Sequence, residues 1–277
     1  MPGMEHPEPT GAERTVLGID AAWTFTQPSG VALALRENNR WKLAAVAASY
    51  QRFMALTDQE LVPESKPLGR MPDLTALLGA AKRIARAPID LIAVDMPLSK
   101  MPIVGRRPSD DAVSKAYGGR KCGTHSPNVE RPGQISDILR DQAQRAGYPL
   151  ATKVIGIPAL IEVYPHPALV ELACARERLP YKAQKVGAYW PSSSPLERKG
   201  KLIDQWSQIL TLLEAEISGL DAMLPLPNTS TRSVELKAFE DMLDAVICAW
   251  IGICAMEGRA AAFGDDASAI WVPTARA

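Results

Sequence analysis

Two short apolar runs that each end in an aspartate constrain the fold of this chain more than any other feature. Val16-Leu17-Gly18-Ile19-Asp20 and Leu91-Ile92-Ala93-Val94-Asp95 are built alike. Aspartate is a poor strand residue and costly to bury, so at the end of such a run it marks a strand that delivers a carboxylate to a sheet edge. If the two strands are parallel neighbours, both carboxylates emerge at the same edge, where open α/β sheets place their ligands.

The rest of the chain reads as strands and helices in alternation. Thr15 to Asp20, Gly30 to Leu35 and Trp41 to Ser49 are short apolar runs separated by polar turns, which predicts a three-stranded meander. Leu74, Leu77, Leu78, Ala81 and Ile84 recur at helical spacing between Asp73 and Arg86, and Ile89 to Val94 follows as a buried strand stopped by Pro97. Further on, a strand is expected within Lys153 to Val163, a helix over Pro165 to Arg178, and a loop from Tyr181 to Glu197. Helices at Arg198 to Ile217 and Val234 to Glu257 precede a final strand at Ala269 to Val272. This order predicts an α/β protein with a mixed sheet, a meander plus parallel strands, and helices on both faces.

A third acidic element lies in the last long helix. Asp241 and Asp244 are three apart and share a face, as do Glu240 and Asp244 at four. The helix beyond them is apolar nearly all round, so Asp244 is expected to point into protein. Asp241 also stands one turn after Lys237, the spacing of a helical ion pair. Converging carboxylates repel one another unless a cation neutralises them, and hard oxygen ligands suit Mg²⁺ or Mn²⁺. Asp20, Asp95, Asp241 and Asp244 are therefore the candidate catalytic and metal-binding set. A crowded Asp244 further implies that neutralising it would leave the metal-free protein intact or more stable, whereas an Asp244 paired with a cation or backbone amides would make the same change destabilising.

Composition says what the partners must be like. Lys plus Arg number 31 and Asp plus Glu number 31, so no global positive charge attracts nucleic acid and any polyanion must be held locally. Between Ser99 and Gly133 the chain turns to Gly, Pro and basic residues, an insert in which one helix opens at Ser109. Its Arg106, Arg107, Lys115, Arg120 and Lys121, with Thr124 and His125, are the candidate substrate-binding residues, and with Arg131 and Ser126 of the same insert they could follow a phosphate backbone, unless the charges are merely solvated. Residues 1–14 read as a loose tail with no signal peptide, ahead of one domain over 15–277. No stretch approaches the roughly 18 apolar residues needed to span a bilayer. Cys122, Cys174, Cys248 and Cys254 are widely scattered, which predicts reduced thiols in a cytoplasmic protein. Cys122 and His125 lack the second ligand pair of a zinc site. No sequence feature fixes an oligomeric state.

Glu162 follows an apolar run and precedes Tyr164-Pro165-His166. It is a candidate further metal ligand or substrate-orienting group, and His166 either donates a proton or simply packs at the strand end.

Together these pieces resemble a known family, domain of unknown function 429, whose members are predicted nucleases of the ribonuclease H-like fold. The resemblance rests on Gly18-Ile19-Asp20, Val94-Asp95-Met96-Pro97, Arg107-Pro108-Ser109-Asp110, Glu162-Val163-Tyr164-Pro165-His166, Asp241-Met242-Leu243-Asp244-Ala245 and Phe263-Gly264-Asp265. It implies a ribonuclease H-like fold and metal-dependent cleavage of phosphodiester bonds. The acidic set also looks like that of Holliday-junction resolvases of this fold, except that those usually carry Glu where this chain has the shorter Asp95. An actin-like phosphotransferase or ATPase shares the same core, but it needs a second glycine-rich phosphate loop, and Asp95 is followed by Met96-Pro97-Leu98. A non-catalytic binding module that keeps the fold is the other alternative.

Overall fold

The computed structural model describes residues 13–58, 60–61 and 66–274. Of the expected tail, residues 1–12 lie outside the described residues, and Arg14 already opens the first strand. The strands are β1 Arg14–Asp20, β2 Gly30–Glu37, β3 Arg40–Ala47, β4 Leu91–Val94, β5 Ala159–Val163, β6 Ala260–Gly264 and β7 Ala269–Pro273. They form one seven-stranded mixed sheet in the order β3-β2-β1-β4-β5-β7-β6. The expected meander is present: β1, β2 and β3 pair antiparallel, and Asp20 stands opposite Gly30. β4 then runs parallel to β1, β5 to β4 and β7 to β5, while β6 pairs antiparallel at the far edge.

The helices are α1 Tyr50–Ala55, α2 Leu74–Ala85, α3 Pro108–Tyr117, α4 Gln134–Arg145, α5 Pro165–Leu172, α6 Val186–Tyr189, α7 Pro195–Glu214, α8 Leu220–Met223 and α9 Ser233–Met256. They divide between the two faces of the sheet by strand alternation. Val16, Leu91, Ala93, Ala159 and Ile161 point into a core with α5, α7 and α9. Leu17, Ile19, Ile92, Val94 and Leu160 point the other way, into a core with α1, α2 and α4. The insert helix α3 packs Val113 and Tyr117 against Val170, Ile270 and Val272 in a smaller third cluster.

Local chemistry explains several boundaries. Asp73 caps α2 by accepting from Ala76 N at 3.0 Å, and Arg86 ends it with φ of 52°. Pro195 opens α7 behind the cap Ser194, whose backbone N donates to Glu197 at 2.7 Å. The strand expected within Lys153 to Val163 is confined to Ala159–Val163, past Pro158, and the helix expected to reach Arg178 stops at Leu172. Among the described residues no helix is long and apolar enough to cross a membrane. All four cysteines are unpaired, and Cys122 is buried with its thiol on Arg120 O.

Candidate functional site

The site begins with the register of β1 against β4. Ile19 lies beside Val94, and the backbone N–H of Asp95 donates to Ile19 O at 2.9 Å, so Asp20 and Asp95 follow side by side at the same sheet edge. Both continue the alternation of Val16 and Ala93 and therefore face the side that carries α9. Close approach of that helix brings the rest. A Cβ on Gly18 would stand 2.3 Å from Ala245 O, one on Gly30 2.0 Å from Asp241 O, and one on Gly252 2.6 Å from a Val16 methyl. Only glycine lets α9 lie directly on β1 and β2, and the first turns of its buried stretch thereby carry Asp241 and Asp244 to the two strand-end aspartates.

Asp20, Asp95 and Asp241 line one cavity of about 600 Å³ together with Lys182 and Lys237. Burial, and then repulsion from Asp244, raise the Asp20 carboxyl well above the usual range; Asp241 and Asp95 add to this and Lys182 opposes it. Burial likewise pushes Asp95 up to about 7, with Lys182 working against Asp244 and Glu162. Asp241 also rises to about 7, chiefly through burial. One of its oxygens accepts from Lys237 Nζ at 2.5 Å, and the other is buried with no partner among the described residues.

Asp244 differs from the other three. It is fully buried, and both oxygens are taken: Oδ1 accepts from Tyr181 OH at 2.8 Å and Oδ2 from Lys182 Nζ. Glu240 accepts from Ala183 N and from Lys237 Nζ at 2.9 Å, with Lys182 3.6 Å away. Burial opposes the charge of Lys182, but Asp244 and the neighbouring anions outweigh it and hold the ammonium protonated. Asp244 thus positions Tyr181 and Lys182. Of the two readings of Asp244, the geometry is that of the carboxylate paired with a cation, which the chain itself supplies.

Glu162 lies elsewhere. Its register partner is Val94, and it alternates with Ile161 and Val163, so it faces the opposite side of the sheet from Asp20 and Asp95. Arg107 holds it through two bonds, Nη1 to Oε2 at 2.6 Å and Nη2 to Oε1 at 2.8 Å, and Leu98 N donates at 2.7 Å. The same guanidinium grips Asp110 at 3.0 and 2.9 Å and Leu98 O at 2.7 Å, all buried. Glu162 and Arg107 therefore clamp the insert to β5. All five donors of Arg107 are used, which leaves none for a phosphate, and Glu162 is held on the face of the sheet away from the other carboxylates.

Of the seven candidate substrate-binding residues, only His125 lines the cavity, joined by Ser126, Asn128 and Arg131 of the same insert. Arg106 is spent on Asp111, Ser114, Ser126 and Asp110 O. Arg120 pairs with Glu171 and Ala175 O, Lys121 with Glu177, and Thr124 donates to Asp110 O. Lys115 is exposed on α3, away from the cavity lining. His166 packs edge-on between Tyr164 and Tyr181, and burial drives its imidazole well below the ordinary pKa. That is the strand-end packing alternative.

Lys182 and Tyr181 were not legible as site residues. They open the stretch expected as a loop from Tyr181 to Glu197, which the structure instead divides into the single turn Ala183–Lys185, α6 and the first turn of α7, and no local periodicity ties a lysine there to a helix 62 residues later. Lys237 was legible, through its i,i+4 spacing from Asp241.

Hard carboxylate oxygens on Asp20, Asp95 and Asp241, one of them buried and unpartnered, suit Mg²⁺ or Mn²⁺ in chemical type. Among the described residues no three His, Cys, Asp or Glu side chains stand as a ready-made metal shell. Fold and site define a mixed-sheet α/β protein with an acidic, lysine-bridged cleft at the ends of two parallel strands. The chain belongs to the family described as protein of unknown function (DUF429), whose signature covers residues 18–269. No curated protein and no solved structure matches it.

Proposed function

We propose that this protein is a divalent-metal-dependent phosphodiesterase acting on nucleic acid, with a ribonuclease H-like fold. The observation that carries the reading is the convergence of Asp20, Asp95 and Asp241 on one cavity, with an unpartnered buried oxygen on Asp241. A meander continued by parallel β4 and β5, the arrangement implied by the family resemblance, supports the fold.

Asp20, Asp95 and Asp241 would hold the ion. When bound, it supplies positive charge to the phosphoryl oxygens as negative charge builds on them. The protein's own groups do the rest. Asp95 and Asp241, with pKa values of about 7, exchange protons near neutrality, so ion binding releases protons and strengthens as pH rises. Lys182, held by Asp244, and Lys237, held by Asp241 and Glu240, keep two ammonium groups at the cavity wall within reach of a phosphate. A binding module without catalysis is the second reading. It is favoured by the same two lysines, which already neutralise part of the acidic cluster.

Incubation of labelled DNA and RNA oligonucleotides with the protein in Mn²⁺ or in EDTA tests the proposal. Mn²⁺-dependent cleavage that falls about 100-fold or more in Asp95→Asn supports it. Binding without cleavage of any substrate form favours the second reading.

A further inference from the structure

The cavity carries a second set of side chains that the acidic chemistry does not use. Trp23, Gln27 and Pro28 come from the turn between β1 and β2, and Gln184 from the single turn Ala183–Lys185. Asn128 and Arg131 come from the insert. The two loops meet: the Arg131 guanidinium carbon lies 6.0 Å from the centroid of the Trp23 ring. Among the described residues, the Arg131 side chain has this ring contact and no ion pair, unlike Arg106, Arg107 and Arg120 of the same insert. Trp23 is half-buried, packs in part against the core beneath α1, α2 and α4, and lines the cavity. The Asn128 carbonyl is fixed by Glu130 N and Arg131 N at 2.9 and 2.8 Å, which leaves its NH₂ group as a donor.

An indole face, a guanidinium plane and side-chain amides, beside a centre suited to phosphate chemistry, are the components that recognise an unstacked base. A cavity of about 600 Å³ has the size of a small-ligand site. A base inside a duplex is covered on both faces by its neighbours and along its pairing edge by its partner, so it cannot enter without being extruded. We propose that Trp23 and Arg131 form a stacking subsite for one unpaired nucleobase, which makes single-stranded or locally unpaired nucleic acid the substrate class. The base stacks on the indole face that Arg131 now covers, the guanidinium swings outward onto the base's other face, and Gln27, Asn128 and Gln184 offer hydrogen bonds to its edge. The adjoining phosphodiester then falls at Asp20, Asp95 and Asp241. This placement rests on the phosphodiesterase reading, whereas the stacking subsite can be tested without it.

The test is fluorescence anisotropy of the full chain in EDTA, where no metal-dependent cleavage interferes, with a labelled mixed-sequence single strand and the same sequence as a blunt duplex. The expected result is tighter binding of the single strand, weakened about 10-fold by Trp23→Ala and largely kept by Trp23→Phe. Arg131→Met should weaken it as well and flatten its salt dependence. Equal binding of the single strand by wild type and Trp23→Ala, or a duplex bound as tightly as the single strand, overturns the proposal, as does no binding by the wild type. Trp23-dependent binding with no Mn²⁺-dependent cleavage would uphold the subsite while the phosphodiesterase reading fails.

Discussion

Lys182 donates to Asp244 across 62 residues of sequence, and Tyr181, its neighbour in the chain, takes the other oxygen of the same carboxylate at 2.8 Å. A fully buried anion matched in this way is costly to neutralise, because the partner ammonium loses its nearest counter-charge and among the described residues keeps only Glu240, at 3.6 Å, as an ion-pair partner. Asp244→Asn should therefore destabilise the protein by about 3 kcal/mol, the reverse of the relief expected for a crowded, unpaired carboxylate. Urea denaturation measures it. Adding Lys182→Met should recover part of the loss, giving a double mutant less unstable than the sum of the single changes.

The raised carboxylates give stability a pH dependence of known sign. A carboxyl whose folded pKa is raised favours the folded state below its unfolded value and loses that contribution as pH rises through the folded value. For Asp95 the window runs from 3.8 to about 7. Asparagine cannot ionise, so in EDTA the melting temperature of Asp95→Asn should gain on wild type as pH rises across that window. His166, depressed by burial, acts in the opposite direction in both proteins and cancels in the difference. A difference that stays flat from pH 4 to 8 would show that Asp95 ionises freely.

The clamp on the other face of the sheet separates structure from function. Glu162→Gln leaves the buried Arg107 guanidinium short of one charge and should cost about 3 kcal/mol. Because Glu162 faces away from α9, Mn²⁺-induced stabilisation should persist, altered only through the small repulsion that Glu162 exerts on Asp95. Thermal melts with and without Mn²⁺ read both effects.

Gly18 tests how the acidic residues are brought together. A Cβ there meets Ala245 O at 2.3 Å and Ala249 N at 2.4 Å, both backbone atoms with no rotamer to yield. Gly18→Ala should lower stability by about 1–3 kcal/mol and weaken Mn²⁺ binding, as α9 is pushed off the sheet. Calorimetric titration beside a melt checks the pair of effects.

What was legible in the sequence follows from how local each signal is. The strand-end aspartates, the meander and the buried α9 were written in short apolar runs and one helical period. The α4 period, Ile135, Leu139 and Ala143, was present too, but within a strongly polar segment. β6 is Ala-Ala-Ala-Phe-Gly, a weak strand former that exists because β7 pairs with it. The side of the sheet on which Glu162 falls depends on the register of β5 against β4, and a one-residue shift would reverse it. The basic residues of the insert looked free because their partners, Glu171, Glu177 and Glu162, lie far along the chain. Trp23 and Arg131 carried no mutual signal at all, since only the folded loops bring them together.

The proposed divalent ion would be held by Asp20, Asp95 and Asp241 in the cavity they line. Anomalous diffraction from crystals soaked in Mn²⁺ tests this placement most directly. A peak is expected within about 2.5 Å of oxygens from all three aspartates, with Lys182 still on Asp244. A peak elsewhere, or none at these aspartates with the lysine pairs unchanged, would contradict it.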